Sequence, residues 1–376
     1  MTSPRRWLVV LAGIAVLVAL PSAVGALPSH TPELSASQLL TRIQHSASTP
    51  YSGYAQSTGG LSLPVTNQFS SIADLFGGQS QLRVWWRSTD DWRVDSVGIA
   101  GETDVRRSAR GYWTWNYESN SATWTEQPQA PRVRLPTAVD LTPPELGRRL
   151  LSEALPREAS RIGSDRIAGH SAAGLRIQPD AQTSSIDHVD VWADPATGLP
   201  LRVVVRGKQA LSPAVSSSFL DLSLATPSAS VTAFSPPANA SISSGTSQDL
   251  ATAIDQLAGV VSPANLAGIA RNTALPKLGS VGVYGRGVTE FVAVPLPGRA
   301  AYLLRQQLGA AKPTSSASPG DSTVDSNADF NVSVGPLNLL LSNSARFGSA
   351  WLLVGTVQST ILTTAAAELP PHPELP

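Results

Sequence analysis

The sequence predicts an α+β protein organised around an antiparallel sheet, from three observations. Residues 82–126 alternate apolar and polar side chains at the period of a strand and hold six of the nine tryptophans. Two amphipathic stretches with helix-start signals, Ser35–Ser46 and Pro143–Ala154, flank that segment. A second series of short alternating runs follows from Ser160 to Leu224.

The tryptophan segment sets the candidate site. Leu82, Val84 and Trp86 share one strand face, and Arg83, Trp85 and Arg87 share the other. After the turn at residues 88–91, Trp92 and Val94 repeat the apolar face. The turn Ala109-Arg110-Gly111 opens the next hairpin, with Trp113, Trp115 and Tyr117 on one side and Tyr112, Thr114 and Asn116 on the other. Trp124 follows in phase with Ala122. Read as one phase, Trp86, Trp92, Trp113, Trp115 and Trp124 lie on a single face. That is more aromatic surface than one small sheet needs, so helices, a second sheet or a ligand must cover it. Sheet tryptophans are ordinarily core, but their number here makes an apolar cavity equally consistent. The candidate ligand-binding residues are therefore Trp86, Trp92, Val94, Trp113, Trp115, Tyr117 and Trp124, with Leu146 and Leu150 from the second helix. Glu102 and Asp104, beside Arg106 and Arg107, read as an exposed charged strand.

Ser35-Ala36-Ser37-Gln38 forms a capping box ahead of Leu39, Leu40, Ile43 and Ala47, so a helix spans Ser35–Ser46. Tyr51–Leu63 reads as a strand, and Ile72–Phe76 as a helical turn closed by Gly77-Gly78. Thr142-Pro143-Pro144-Glu145 starts the second helix, whose stripe is Leu146, Leu150, Leu151 and Ala154. Strands follow at Ser160–Ile167, Gly174–Gln178, Ile186–Ala193, Leu201–Val205 and Ser217–Leu224, with a strong turn at 194–198. The first domain spans 35–241, with a linker at 242–247. Residues 248–369 read as a smaller α/β domain. Its helices are Gln248–Val260, Pro263–Arg271, Arg299–Leu308 and Gln358–Leu369. Its strands are Val281–Tyr284, Val288–Val294, Phe330–Leu341 and Trp351–Val357. Residues 312–328 read as a disordered insert and 370–376 as a tail.

The net charge is zero and charged residues are only 14%, which leaves no basic field for nucleic acid. The absence of cysteine excludes disulfides, thiolate metal sites and a cysteine nucleophile. Arg5 and Arg6 precede the apolar run Trp7–Leu20, Pro21 breaks it, and cleavage after Ala23 or Ala26 is expected. Residues 1–26 are thus a signal peptide or an uncleaved anchor. The expected location is the extracytoplasmic cell envelope, and the composition fits a GC-rich bacterium.

No catalytic constellation emerges, so a non-enzymatic protein without a cofactor or a metal is expected. Gly169-His170-Ser171-Ala172-Ala173-Gly174 is one residue too long for a nucleophile elbow and reads as a hairpin turn. Gly285-Arg286-Gly287 reads as a turn between two strands. His188 and Asp190 read as a solvated face rather than a metal pair.

Four motifs carry a family resemblance: R-V-W-W-R with W-R-V-D, G-Y-W-T-W-N-Y-E-S-N-S-A-T-W, V-D-V-W-A-D-P-A-T-G-L-P-L-R, and F-S-P-P. Over residues 35–241 the chain resembles the LolA/LolB-like superfamily, which includes the lipoprotein carrier LolA and the sigma-factor regulator RseB (MucB). It looks like an exported actinobacterial member. The resemblance implies a curved antiparallel half-barrel closed by helices, with a cavity for acyl chains. It implies carriage of an acyl lipid or lipidated protein at the cytoplasmic-membrane surface, with a transport ATPase complex as a partner. The alternative it implies is an envelope-stress regulator that binds an anti-sigma factor. The mycobacterial carriers are lipoproteins, whereas this chain has no cysteine to acylate.

Overall fold

The computed structural model describes residues 33–61, 76–98, 101–127, 136–179, 181–245, 260–273, 279–310, 329–342 and 350–370. The expectations for 1–26, 62–75, 246–259, the insert 312–328 and residues 371–376 lie outside the described residues.

Helix α1, Ala36–Gln44, starts where its capping box places it. The Ser35 hydroxyl accepts from the Gln38 backbone N–H, and the Gln38 side chain accepts from the Ser35 N–H. Strands β1 (Tyr51–Gly59), β2 (Gln79–Ser88), β3 (Asp91–Gly98), β4 (Gly101–Ser108), β5 (Gly111–Asn116) and β6 (Ser121–Glu126) form a first meander. A 3-10 turn, Ala138–Leu141, leads into α2, Pro143–Leu151, with proline at its first position. Strands β7 (Ala159–Ile167), β8 (His170–Ile177), β9 (Ile186–Ala193), β10 (Pro200–Gly207) and β11 (Val215–Ser223) form a second meander. A single turn, α3 (Ala229–Thr232), and strand β12 (Ser241–Gly245) follow.

Strand β1 pairs with β2 on one side and β11 on the other, joining the two meanders. The result is one curved, unclosed sheet of twelve strands in the order β12-β6-β5-β4-β3-β2-β1-β11-β10-β9-β8-β7. Every neighbour is antiparallel except β12, which runs parallel to β6. The expected linker at 242–247 is therefore corrected over 242–245. Ser241–Gly245 is an edge strand, because the serines give an exposed row that still pairs its backbone with β6.

Helices α1 and α2 lie on the inner face. Leu39, Leu40, Ile43 and Leu151 pack with Leu175, Ile177, Val189, Val191, Val203 and Val205. Each such fully buried aliphatic chain contributes about 1.5–3 kcal/mol. Gly147 lets α2 approach β10 closely, since a Cβ there would stand 2.8 Å from Pro200 Cγ. The turn Ala168-Gly169 between β7 and β8 has positive φ at both residues, 47° and 82°, as a two-residue hairpin requires.

A second sheet orders β15 (Gly282–Arg286), β16 (Thr289–Leu296), β19 (Ala350–Gly355), β18 (Leu337–Leu341) and β17 (Phe330–Val334), with a separate two-stranded pair, β13 (Asn265–Leu266) and β14 (Ile269–Ala270). Helices α4 (Gly298–Ala310) and α5 (Ser359–Glu368) accompany it, and α5 buries Leu362 and Ala365. Two expectations are corrected here. All pairings in this sheet are antiparallel, so the unit is α+β rather than α/β. Residues Pro263–Arg271 form the β13–β14 hairpin, not a helix. Leu266 and Ile269 have helical spacing, but Ala267 and Gly268 take φ of 50° and 72°, which turn the chain back.

The two sheets are fastened to each other. Arg286, at the end of β15, pairs with Glu158 at 2.7 Å and donates to the Glu153 carbonyl at 2.6 Å. The Gly287 N–H donates to the Glu153 carboxylate at 2.9 Å. On the opposite side, Ser185 N–H donates to the Thr356 carbonyl and Gln358 N–H to the Thr183 carbonyl.

Candidate functional site

Register decides which tryptophans meet. Tyr51 stands opposite Trp86, Trp86 opposite Trp92, Trp92 opposite Arg107, and Arg107 opposite Tyr112. This row lies on the inner face, the same face as Ser217 and Val203, over which the helices pack. Beside it runs Gly53, Val84, Val94, Val105 and Thr114. Trp86 and Trp92 stack at 5.5 Å with planes 3° apart, and Tyr51 and Trp86 stack at 6.1 Å. The Trp86 indole donates to the Ala47 carbonyl at 3.0 Å, which ties the stack to the end of α1.

Trp113, Trp115 and Trp124 do not join this row, which corrects the single-phase reading. On the outer face one row runs Trp85, Arg93, Arg106, Trp113, Trp124, and the next runs Arg83, Asp95, Asp104, Trp115, Ala122. Strand β4 is the reason. It adds a strand between the two tryptophan pairs, and its pairing puts Trp92 opposite Arg107 while Trp113 faces Arg106. Tyr117 belongs to the outer face too, edge-on to Trp115 at 5.7 Å, and is 51% exposed. Of the candidate residues, Trp86, Trp92 and Val94 share the inner face. Leu146 and Leu150 are brought to that side by α2, but they pack in the cluster around Leu39 and Leu151, apart from the tryptophans.

The helix residue that does reach the tryptophans is Arg148. Its guanidinium lies over the Trp86 ring at 5.5 Å and pairs with Glu145 one turn earlier. Burial pushes this arginine below its ordinary value, and burial pushes the Tyr51 phenol well above its own. Tyr51 is fully buried, and its hydroxyl makes no hydrogen bond of ordinary length; the neighbouring Thr142 hydroxyl donates to the Val139 carbonyl at 2.9 Å. Neither Tyr51 nor Arg148 was singled out from sequence. Their one signal was position, directly after Pro50 and between the leucines of the second helix.

The outer face holds a charge network instead of an exposed strand, a second correction. Asp95 and Asp104 are fully buried. Arg93 grips Asp95 through two bonds of 2.6 and 2.7 Å and reaches Asp104 at 3.1 Å, while Arg106 pairs with Asp104 at 3.0 Å. Burial, with the Asp104 charge adding to it, pushes the Asp95 carboxyl up to about 6 against the pull of Arg93. Glu102 stands near both aspartates and pairs with Arg83 at 2.9 Å. Guanidinium groups thus already neutralise the one group of metal-type ligands among the described residues. Asp190 is likewise buried, gripped by Arg176 through two bonds of 2.7 Å, so the His188–Asp190 face is not simply solvated.

Residues 227–245 cross the outer face as a strap. Arg87 donates to the Pro227 carbonyl, Arg106 to the Ala233 carbonyl at 2.9 Å, and Asn120 to the Asn239 carbonyl at 2.8 Å. Phe234 sits 5.8 Å from Trp113, 5.9 Å from Trp115 and under the Arg106 guanidinium at 4.9 Å. The strap borders an open cleft of about 610 Å³ lined by Arg106, Arg107, Trp113, Trp124 and Phe234. Trp113 and Trp115 thus seat this strap through Phe234. A second cavity, about 380 Å³, lies where Leu150 and Ile177 face Val288.

Fold and site together define a class: a curved open sheet, lidded by helices within and strapped without. No protein-family model and no curated protein matches the chain. Among solved structures it is similar to the MucA/MucB complex of Pseudomonas aeruginosa, at 16% identity and TM-score 0.48, over 89% of this chain and 98% of that one. It is also similar to LprF from Mycobacterium bovis, at 13% identity and TM-score 0.28, over 54% of this chain and 99% of that one. A third is the LolA superfamily protein NE2245 from Nitrosomonas europaea, at 7% identity and TM-score 0.27, over 54% and 98%. The neighbours thus include members of the LolA/RseB-like superfamily that the sequence motifs resemble.

Proposed function

We propose that the protein is a non-catalytic, extracytoplasmic binding protein that holds an acyl chain, of a lipid or of a lipidated polypeptide, on the inner face of its sheet. The carrying observation is the continuous stack of Tyr51, Trp86 and Trp92. It begins at buried Tyr51, passes beneath Arg148 at Trp86 and runs outward to half-buried Trp92, beside half-buried Val105. Helices α1 and α2 pack chiefly on β7, β8, β10 and β11, so they lid one side of this face and leave the stack at their margin. Apolar area that the protein keeps out of water there contributes about 25 cal/mol per Å², which offsets the loss of the membrane's own apolar surroundings. Trp86, Trp92 and Val94 form the proposed chain-binding surface, and α2 with Leu146 and Leu150 is the element that gates it. A long-chain acyl probe should bind and shift tryptophan emission. Trp92→Asp should abolish binding by placing an unpaired charge in the site, whereas Trp85→Asp on the outer face should leave it intact. Equal loss in both variants, or no binding to the wild type, would remove this reading.

A polypeptide partner, such as the anti-sigma factor of a regulator, is the second reading. The observation that favours it is β12, whose exposed residues 241–244 form an edge of the large sheet. A regulator should retain a membrane-protein partner through purification, and a carrier should pass its lipid to acceptor vesicles. Export is part of both readings. Protein from the native host should begin near Val24 or Leu27, or persist as a membrane-bound Met1 form. Soluble cytoplasmic protein retaining Met1 would overturn it. Among the described residues, no helix is long and apolar enough to cross a membrane.

A further inference from the structure

Two polar groups meet at the deep end of the Trp86 stack without full partners. The Tyr51 hydroxyl is buried beside Thr142 with no hydrogen bond of ordinary length, and the Arg148 Nη1 is buried with no partner among the described residues. Tyr51 is wholly inaccessible and the Arg148 side chain is only 11% exposed. Both lie against the same indole ring, and each feels the other's charge. A buried donor left unpaired costs about 1–3 kcal/mol, so two at one point mark a place where an acceptor fits. Among the described residues, the one anion that touches Arg148 is Glu145, on the same helix and 27% exposed in its side chain. It holds one nitrogen of the fork and leaves the other free. Guanidinium geometry favours two-point capture of a carboxylate or phosphate.

Resting on the acyl-binding reading above, we propose that the ligand is an anionic amphiphile whose acid group is received by Arg148 and Tyr51 while its chain runs along Trp86 and Trp92. Glu145 competes for the place of that acid group, and the ligand displaces it. Arg148 supplies the charge and Tyr51 a neutral O–H donor, since burial keeps the phenol protonated. The Trp86 ring beneath them starts the apolar path. Because Arg148 sits on α2, acid capture also pins the lid that proposal assigns to this helix.

The experiment is a calorimetric titration of the full chain with dodecanoate, dodecyl phosphate and neutral monolaurin below their critical micelle concentrations. Both anionic probes should bind at least tenfold more tightly than monolaurin. Preference between the two anions distinguishes a carboxylate source from a phosphate source. Arg148→Gln should erase the anionic preference, so that dodecanoate, dodecyl phosphate and monolaurin bind that variant with similar affinity. Glu145→Gln should tighten dodecanoate several-fold, because the internal competitor is gone. That variant and the wild-type preference keep the test decisive if Arg148→Gln fails to fold. Monolaurin binding as tightly as dodecanoate would overturn the acid site and leave acyl binding standing. No binding of any probe would overturn both.

Discussion

Trp86 and Trp92 face each other directly across β2 and β3, and their rings lie within 3° of parallel. Trp86 is the more deeply placed of the two, at 4% exposure. Trp86→Ala removes both the stack and the bond to Ala47 and should cost about 3–5 kcal/mol in urea unfolding. Trp92→Phe keeps the fold but ends the indole coupling, so the near-ultraviolet dichroism should lose its strongest tryptophan band. An unchanged band would mean the rings do not couple in solution.

Asp95 titrates from about 6 in the fold toward 3.8 when unfolded. The native state therefore binds this proton more tightly than the unfolded chain does. The cost of burying the charge is full above about pH 6 and is relieved as pH falls toward 4. This group should then raise stability by on the order of 2 kcal/mol between pH 7 and 4. Asp95→Asn should flatten that part of the profile in urea titrations at pH 7, 6, 5 and 4. Parallel profiles for the two proteins would rule the assignment out.

Phe234 anchors the strap between Trp113, Trp115 and Arg106. Phe234→Ala should speed amide exchange across residues 227–245, including β12, with little change in α1 or α2. Acyl-probe binding should persist, because the strap lies on the opposite face. Uniform acceleration across the whole chain would show that the strap is instead part of the global core.

Arg286 joins the second sheet to the end of α2 through Glu158 and the Glu153 carbonyl. Glu158 is 7% exposed in its side chain. Arg286→Ala removes the charge partner of that buried carboxylate, leaving it only the Leu155 N–H, and should cost about 2 kcal/mol. A single thermal transition in the wild type should split into two, the second sheet melting first. A single unshifted transition would show that the Thr183 and Ser185 contacts suffice.

The strands of the two meanders and the capping box at Ser35 are legible in the sequence because both signals are local, whereas β12 reads as linker and the β17–β18 hairpin reads as one strand, Phe330–Leu341. The alternation around Trp86 and Trp113 was read correctly within each strand. The relation between them was not, since phase across strands depends on how β4 pairs. Glu102, Asp104, Arg106 and Arg107 look like a solvated strand by composition. Only the arrival of Arg93 and the strap makes that face buried, and no window on β4 contains either. The Pro263–Arg271 hairpin failed for a related reason. Leu266 and Ile269 satisfy a helical spacing, and the positive φ at Ala267 is a property of a non-glycine residue that sequence does not advertise. Tyr51 and Arg148 were missed because each looks ordinary alone, and their meeting over Trp86 is a product of the folded sheet.

The pairing of β1 with β11 carries a kinetic consequence. Each meander is assembled from neighbours in sequence and closes short loops, so each can form early. The seam between them waits until residue 223 has left the ribosome, and β1 has an unmated side throughout synthesis of β2 to β10. That long-lived bare edge is the point at which a nascent chain can pair with the wrong strand. A holdase that engages β1 would act on the assembly of the inner face that carries the Tyr51, Trp86 and Trp92 stack, since Tyr51 is the first residue of that strand. A fragment ending at residue 214 retains ten of these strands yet lacks the one that makes them a single sheet.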